Sequence, residues 1–165
     1  MSEELGKVKI GLALVLIGLA FGVGMGISFG VNEHAYESYI AKGVEAHPRI
    51  HDEKSKDNIW RYAQRAHFHA TGIAAFSLGL IIVVMFSNLK ARLKTVSSVL
   101  IGLSGFYPLA WFTMFWVAPS IGRGPAHEYF LTELFTYIGV GGLLLGTLIL
   151  LANLFLGLFQ EDIGT

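Results

Sequence analysis

Four apolar stretches dominate this chain: residues 10–31, 66–87, 96–118 and 134–158. Each reaches the roughly 20 residues that a helix needs to cross the hydrocarbon of a bilayer. Lipid offers no water to pair backbone N–H and C=O groups, so a spanning segment of this kind must pair them internally, as a helix does. The expected fold class is therefore all-α: an integral membrane four-helix bundle, with a polar cap formed by helix extensions and the 32–65 loop. At 165 residues the chain should make a single transmembrane domain. The first stretch is too long for a leader peptide and has no small-x-small cleavage site after it, so it is expected to be retained.

Composition then narrows the chemistry. There are no cysteines, which excludes disulfides, thiolate metal sites, iron–sulfur clusters, covalently attached c-type haem and thiol catalysis. The formal net charge is zero, so no nucleic-acid partner is indicated. The lipid bilayer is the one partner that the composition demands.

Four spans place both termini and the short 88–95 connection on one side, and the 32–65 and 119–133 connections on the other. All six histidines lie on or at the edge of that second side: His34, His47, His51, His67, His69 and His127. Lys7 and Lys9 precede the first span, whereas Glu33 and Glu37 follow it. Flanking cations favour the cytoplasmic face. The expected arrangement is an inner or plasma membrane location with cytoplasmic termini and the histidine-rich loop outside, although that loop side carries the larger total of Lys and Arg.

Helical signals extend beyond the apolar stretches. DNIWRYAQRAHFHATG contains a cap candidate at Asp57 or Asn58 and no breaker before Gly72, so the second helix should start ahead of the membrane. The first helix is expected to continue through NEHAYESYIAK. Pro125 suits a first helical position and Glu128 a first turn, which places the start of the fourth helix near Pro125. Pro108 predicts a kink in the third. Tyr107, Trp111 and Trp116 read as interfacial anchors.

Gly18, Gly22, Gly26 and Gly30 recur every four residues, and Gly139, Gly142 and Gly146 echo them in the fourth stretch. Such spacing lets helices approach closely in lipid, and the same bare surface accepts a flat ring. Packing is the commoner use.

The stretch RAHFHATG, residues 65–72, carries the sharpest chemical question. His67 and His69 stand about 200° apart on a helix, so they cannot chelate one ion together. The expectation is that one of them at most faces the bundle. His69 is the preferred inward residue because it lies deeper, and its bland alternative is an interfacial ring bonded to a backbone carbonyl or to Glu128. His127, expected in the first turn of the fourth helix, would be favoured as a neutral ring. His34 follows the first span. Closure of the bundle would bring His34, His69 and His127 together, with Glu33, Glu37, Glu128 and Glu133 as further ligands or supports. His47 and His51 are expected to be solvated.

Two chemistries fit such donors: haem b, which takes two axial imidazoles from different helices, and a copper or zinc ion held by imidazoles and carboxylates. His69, His127, His34 and His67 are the candidate cofactor ligands, and Glu33, Glu37 and Glu128 the candidate metal ligands. No catalytic residue is indicated.

The segment AHFHATGIAAFSLGL resembles the histidine-bearing membrane helices of haem–copper oxidases and nitric oxide reductases, which implies haem ligation. QRAHFHATG resembles the Arg-Ala-His-x-Asn-x-x-Glu stretch of the membrane-associated glutathione-transferase and eicosanoid family. Arg65, Ala66 and His67 match, while His69 and Gly72 stand where that family has Asn and Glu. That resemblance implies a trimeric enzyme in which Arg65, His67 and tyrosines hold an anionic cosubstrate. Three functions are thus expected in turn: an electron-transfer subunit binding haem b or a metal beside other membrane subunits and a redox partner, a transferase of that type, or a non-catalytic structural subunit.

Overall fold

The computed structural model describes residues 2–161, and it is helical almost throughout. Helix α1 covers Ser2–Ala46, α2 Ser55–Phe86, α3 Ala91–Gly102, α4 Phe106–Ile121, α5 Arg123–His127 and α6 Phe130–Leu156. A 3-10 turn at Leu103–Gly105 joins α3 to α4, so these two form one broken third span. Four segments, Glu3–Ala46, Ser55–Phe86, Ala91–Ile121 and Phe130–Leu156, are long and apolar enough to cross a membrane. The all-α four-helix bundle read from the sequence is the architecture found.

The long 32–65 connection contracts to eight residues, because helix claims both of its ends. Helix α1 continues to Ala46, bending at Asn32, whose φ of −144° and ψ of 42° leave the helical region just where the apolar stretch ends. Helix α2 starts at Ser55, ahead of the expected Asp57 or Asn58 cap. A reciprocal box sets that start: the Ser55 hydroxyl donates to Asp52 Oδ1 at 2.7 Å, and Asp52 N–H donates to Ser55 Oγ at 2.9 Å. These bonds tie the end of the connection to the first residue of α2.

The third span breaks one turn before Pro108. A proline lacks the N–H donor of a regular helix and its ring crowds the carbonyl four residues back, here Ser104, which lies inside the 3-10 turn. The fourth helix departs from expectation. Gly122 has a φ of +88°, a conformation that an L side chain rarely adopts, and it ends α4. Pro125 then falls within the short α5, Tyr129 is extended, and α6 begins only at Phe130.

The third span is the middle layer. Its α3 half packs on α1, its α4 half packs on α2, and α6 covers the opposite side. Glycine permits the close approach of α1 to α2 and of α6 to both halves of the third span. A Cβ on Gly22 would come within 2.8 Å of Ala70 Cβ, and one on Gly139 within 2.5 Å of Tyr107 N. Gly142 and Gly146 meet Leu100, Ile101 and Ser97 in the same way, while Gly30 meets nothing. The recurrent glycines of α1 therefore make a slanting ridge that leaves the helix interface at its end, as steps of four on a 3.6-residue helix require. Two buried polar contacts reinforce the middle layer: the Ser77 and Ser104 hydroxyls are 3.0 Å apart, and Ser97 donates to the Gly146 carbonyl at 2.8 Å.

Both chain ends lie at the α2–α3 end of the bundle. Lys94, 6% exposed, donates to Glu4 Oε2 at 2.5 Å and to the Met85 carbonyl at 3.0 Å. Past α6 the backbone pairs with the α2–α3 connection, Lys90 N–H to Phe159 O at 3.0 Å and Glu161 N–H to Asn88 O at 2.9 Å.

Candidate functional site

Helix α2 has a neighbour on each flank, α1 on one and α4 on the other. Its buried seam runs through Tyr62, Ala63, Ala66, Ala70 and Ala74. The small side chains of that seam bring the neighbouring helices close enough for both His67 and His69 to reach one. The two rings leave α2 on opposite flanks, as their separation of about 200° requires, and both are half-buried.

His67 turns toward α1. Its Nδ1 donates to the Gly22 carbonyl at 2.8 Å, and its ring lies against Gly26, where an added Cβ would meet Cε1 at 2.7 Å. Phe29 stands edge-on at 6.0 Å between ring centroids. The ring thus occupies space that the α1 glycine ridge leaves open.

His69 turns toward α4. Its Nδ1 donates to the Arg65 carbonyl one turn earlier, at 2.8 Å, which is the interfacial, carbonyl-bonded arrangement. The ring stacks on Trp111 at 5.6 Å and 29°, and Tyr107 meets it edge-on at 5.2 Å. The Arg65 guanidinium lies 4.8 Å from the centre of the same Trp111 ring, close enough for a cation–π attraction. Trp111 and Tyr107, expected as interfacial anchors, instead organise this cluster; Trp116 remains exposed.

His127 joins the cluster through Tyr62, whose hydroxyl is 2.9 Å from His127 Nε2. Tyr62 also packs against Trp111 at 5.8 Å. Its role was legible in principle, because seven residues separate it from His69 and two helical turns return to almost the same face. His127 closes α5 instead of opening α6. The N-terminal dipole invoked for it from the sequence therefore does not act on it.

The expected meeting of His34, His69 and His127 does not form. His34 is 98% exposed, and its one polar contact among the described residues is with Glu37, at 3.3 Å. Glu33, Glu37, Glu128 and Glu133 are exposed as well. Among the described residues no three His, Asp or Glu side chains are grouped to hold a metal ion. The physical reason is direction: beyond the bend at Asn32 the α1 extension turns His34 to solvent, while α2 aims its two rings at opposite flanks. His47 is exposed as expected. His51 is not, since it docks the 47–54 connection onto the end of α4 by donating from Nε2 to the Pro119 carbonyl at 3.0 Å.

Clefts among the described residues include four of about 240 to 360 Å³, each open to the surface.

No family model matches this chain, and neither does any curated protein or solved structure.

Proposed function

We propose that this chain is an integral membrane electron-transfer subunit in which the α2 imidazoles ligate haem b at the surface of the bundle. One observation carries the reading. His67 and His69 each spend the Nδ1 proton on a main-chain carbonyl, at 2.8 Å in both cases, which leaves Nε2 unprotonated. Metal-ligating histidines are held in this way: the second-site hydrogen bond fixes the tautomer and raises the basicity of the free nitrogen. His67 or His69 would hold the haem, which would supply one-electron chemistry. The residues contribute orientation and a low-dielectric wall, Trp111 and Tyr107 for His69, and Phe29 and Phe68 for His67.

His67 or His69 would hold the group at the flank of α2, and a second copy or another membrane subunit would complete its surroundings. Apolar side chains are exposed along α1 and α6, from Ile17 and Ile27 to Leu144 and Leu148, and give such partners or lipid a surface to cover. Lys7, Lys9, Lys90, Arg92 and Lys94 cluster at the end holding the termini, which supports a cytoplasmic placement of that end and an outer placement of the histidines. Single-cysteine variants of this cysteine-free chain, labelled from either side, test that orientation.

The test of function is the visible spectrum of the detergent-purified protein from haem-replete cells, oxidised and then dithionite-reduced. A Soret band with sharp reduced α and β bands is expected, lost in His69→Ala or His67→Ala while helicity is retained. A colourless wild-type protein would overturn the proposal.

A second reading, a non-catalytic packing subunit, draws on the same His67 contact. A ring that fills the surface of Gly26 and bonds Gly22 across two helices works as a joint even without a ligand. The spectrum separates the two.

A further inference from the structure

At the histidine end of the bundle, α4, α5 and α6 border an open cleft of about 270 Å³ lined by Tyr107, Trp111, His127, Glu133, Thr136 and Tyr137. From these residues we infer that the cleft binds the headgroup of a lipophilic quinone in both its quinone and quinol forms. The inference goes beyond haem ligation and does not require it: the cleft shares Tyr107 and Trp111 with the surroundings of His69, but neither α2 imidazole lines it.

Such a ligand changes its hydrogen-bonding character with oxidation state. A quinone presents two carbonyl acceptors and a quinol two hydroxyl donors, so a site that holds both must be able to reverse its own polarity. The His127–Tyr62 pair can do so. Its 2.9 Å contact joins imidazole Nε2 to a hydroxyl, and a hydroxyl both donates and accepts. When Tyr62 donates to Nε2, the imidazole proton sits on Nδ1, which can donate to a quinone carbonyl. When Nε2–H donates to Tyr62, Nδ1 is bare and can accept from a quinol hydroxyl. Nδ1 has no partner among the described residues, so it is free to serve the cleft in either tautomer.

The rest of the lining suits the second oxygen. The Glu133 carboxylate accepts from a quinol. The Tyr107 and Tyr137 hydroxyls, neither with a hydrogen-bond partner among the described residues, can donate to a quinone. The Thr136 hydroxyl is already donated to the Thr132 carbonyl at 2.7 Å and keeps its lone pairs for a donor. Trp111 brings a buried Nε1–H that also lacks a partner. The volume admits one ring system. Below Tyr137 the exposed residues Val140, Leu144 and Leu148 follow at helical spacing along the outside of α6 and give an isoprenoid tail an apolar track in the lipid. An aromatic cage for a quaternary ammonium headgroup fits less well, because His69 and Arg65 already lie against the Trp111 ring.

The experiment is calorimetric titration of the purified protein in detergent with decylubiquinone and, under reductant, with its quinol, against empty micelles. One saturable site for both forms is expected. Thr136→Phe, which fills the cleft, should abolish it. His127→Ala, which removes the group that faces the ring oxygen, should weaken both forms by about tenfold, the order of one hydrogen bond. Should Thr136→Phe fail to fold by circular dichroism, Glu133→Gln combined with Tyr137→Phe replaces it, as both positions are exposed. Absence of saturable binding, unchanged binding in the variants, or displacement of the quinone by phosphocholine lipid would each overturn the inference. The haem spectrum is read on the same sample, so a coloured protein that ignores quinone refutes this inference alone, and a colourless one that binds quinone refutes only the haem proposal.

Discussion

His67 Nδ1 donates to the Gly22 carbonyl at 2.8 Å, tying α2 to α1. The bond needs a bare α1 surface, because a Cβ on Gly26 would sit 2.7 Å from the ring. Gly26→Leu should therefore drive the imidazole from its position and destabilise the protein by about 1–3 kcal/mol, the usual cost of overpacking. Gly30→Leu should cost little, since nothing lies near that position. Thermal unfolding in detergent, followed by circular dichroism, compares the two, and equal losses would show that the helix interface is not where the ring sits.

The Ser77–Ser104 contact, 3.0 Å between two buried hydroxyls, links α2 to the turn that breaks the third span. Interhelical hydrogen bonds in membranes have modest coupling, about 0.6 kcal/mol on average. A double-mutant cycle of Ser77→Ala and Ser104→Ala should return a favourable coupling of that order, and a coupling of zero would refute the pairing.

At the opposite end, Glu4 lies ahead of the apolar stretch and accepts from Lys7 at 2.6 Å and Lys94 at 2.5 Å. These two hydrogen bonds, Lys7 first, hold its carboxyl down to about 2 from the usual 4.5. A lowered carboxyl favours folding in its charged form, so the stabilisation is complete above 4.5 and fades as the pH falls toward 2. Glu4→Gln should melt at a lower temperature than the wild type at neutral pH, and the gap should close progressively between pH 4.5 and 2. A gap independent of pH would remove the charge from the explanation.

His51 holds the 47–54 connection against α4 through the Pro119 carbonyl. Its replacement by Ala removes one hydrogen bond, about 1 kcal/mol, and frees that connection without touching the spans. Hydrogen exchange at residues 47–54 should quicken while the amides of α2 and α6 keep their protection. An unchanged exchange pattern would mean that the connection is held by other contacts.

Much of this architecture is written in the order of residue types. Twenty-residue apolar stretches leave helix as the only way to pair the backbone in lipid, so span number and the common side of both termini follow from local chemistry. The glycine ridges were legible for the same reason: close approach in lipid needs small residues wherever it occurs. The break near Pro108 is a local covalent effect.

The site was less legible, because it depends on which helix stands on which flank. The 200° between His67 and His69 is a property of the sequence. That both rings find a neighbour, α1 for one and α4 for the other, arises only because the third span crosses in the middle and flanks α2 on its second side. The bend at Asn32 and the positive φ of Gly122 redirect His34 to solvent and His127 to Tyr62, and so dissolve the three-histidine site that spacing alone suggested. Local periodicity sets where a side chain leaves its own helix; what it meets there is decided by long-range packing, which no single stretch of chain encodes.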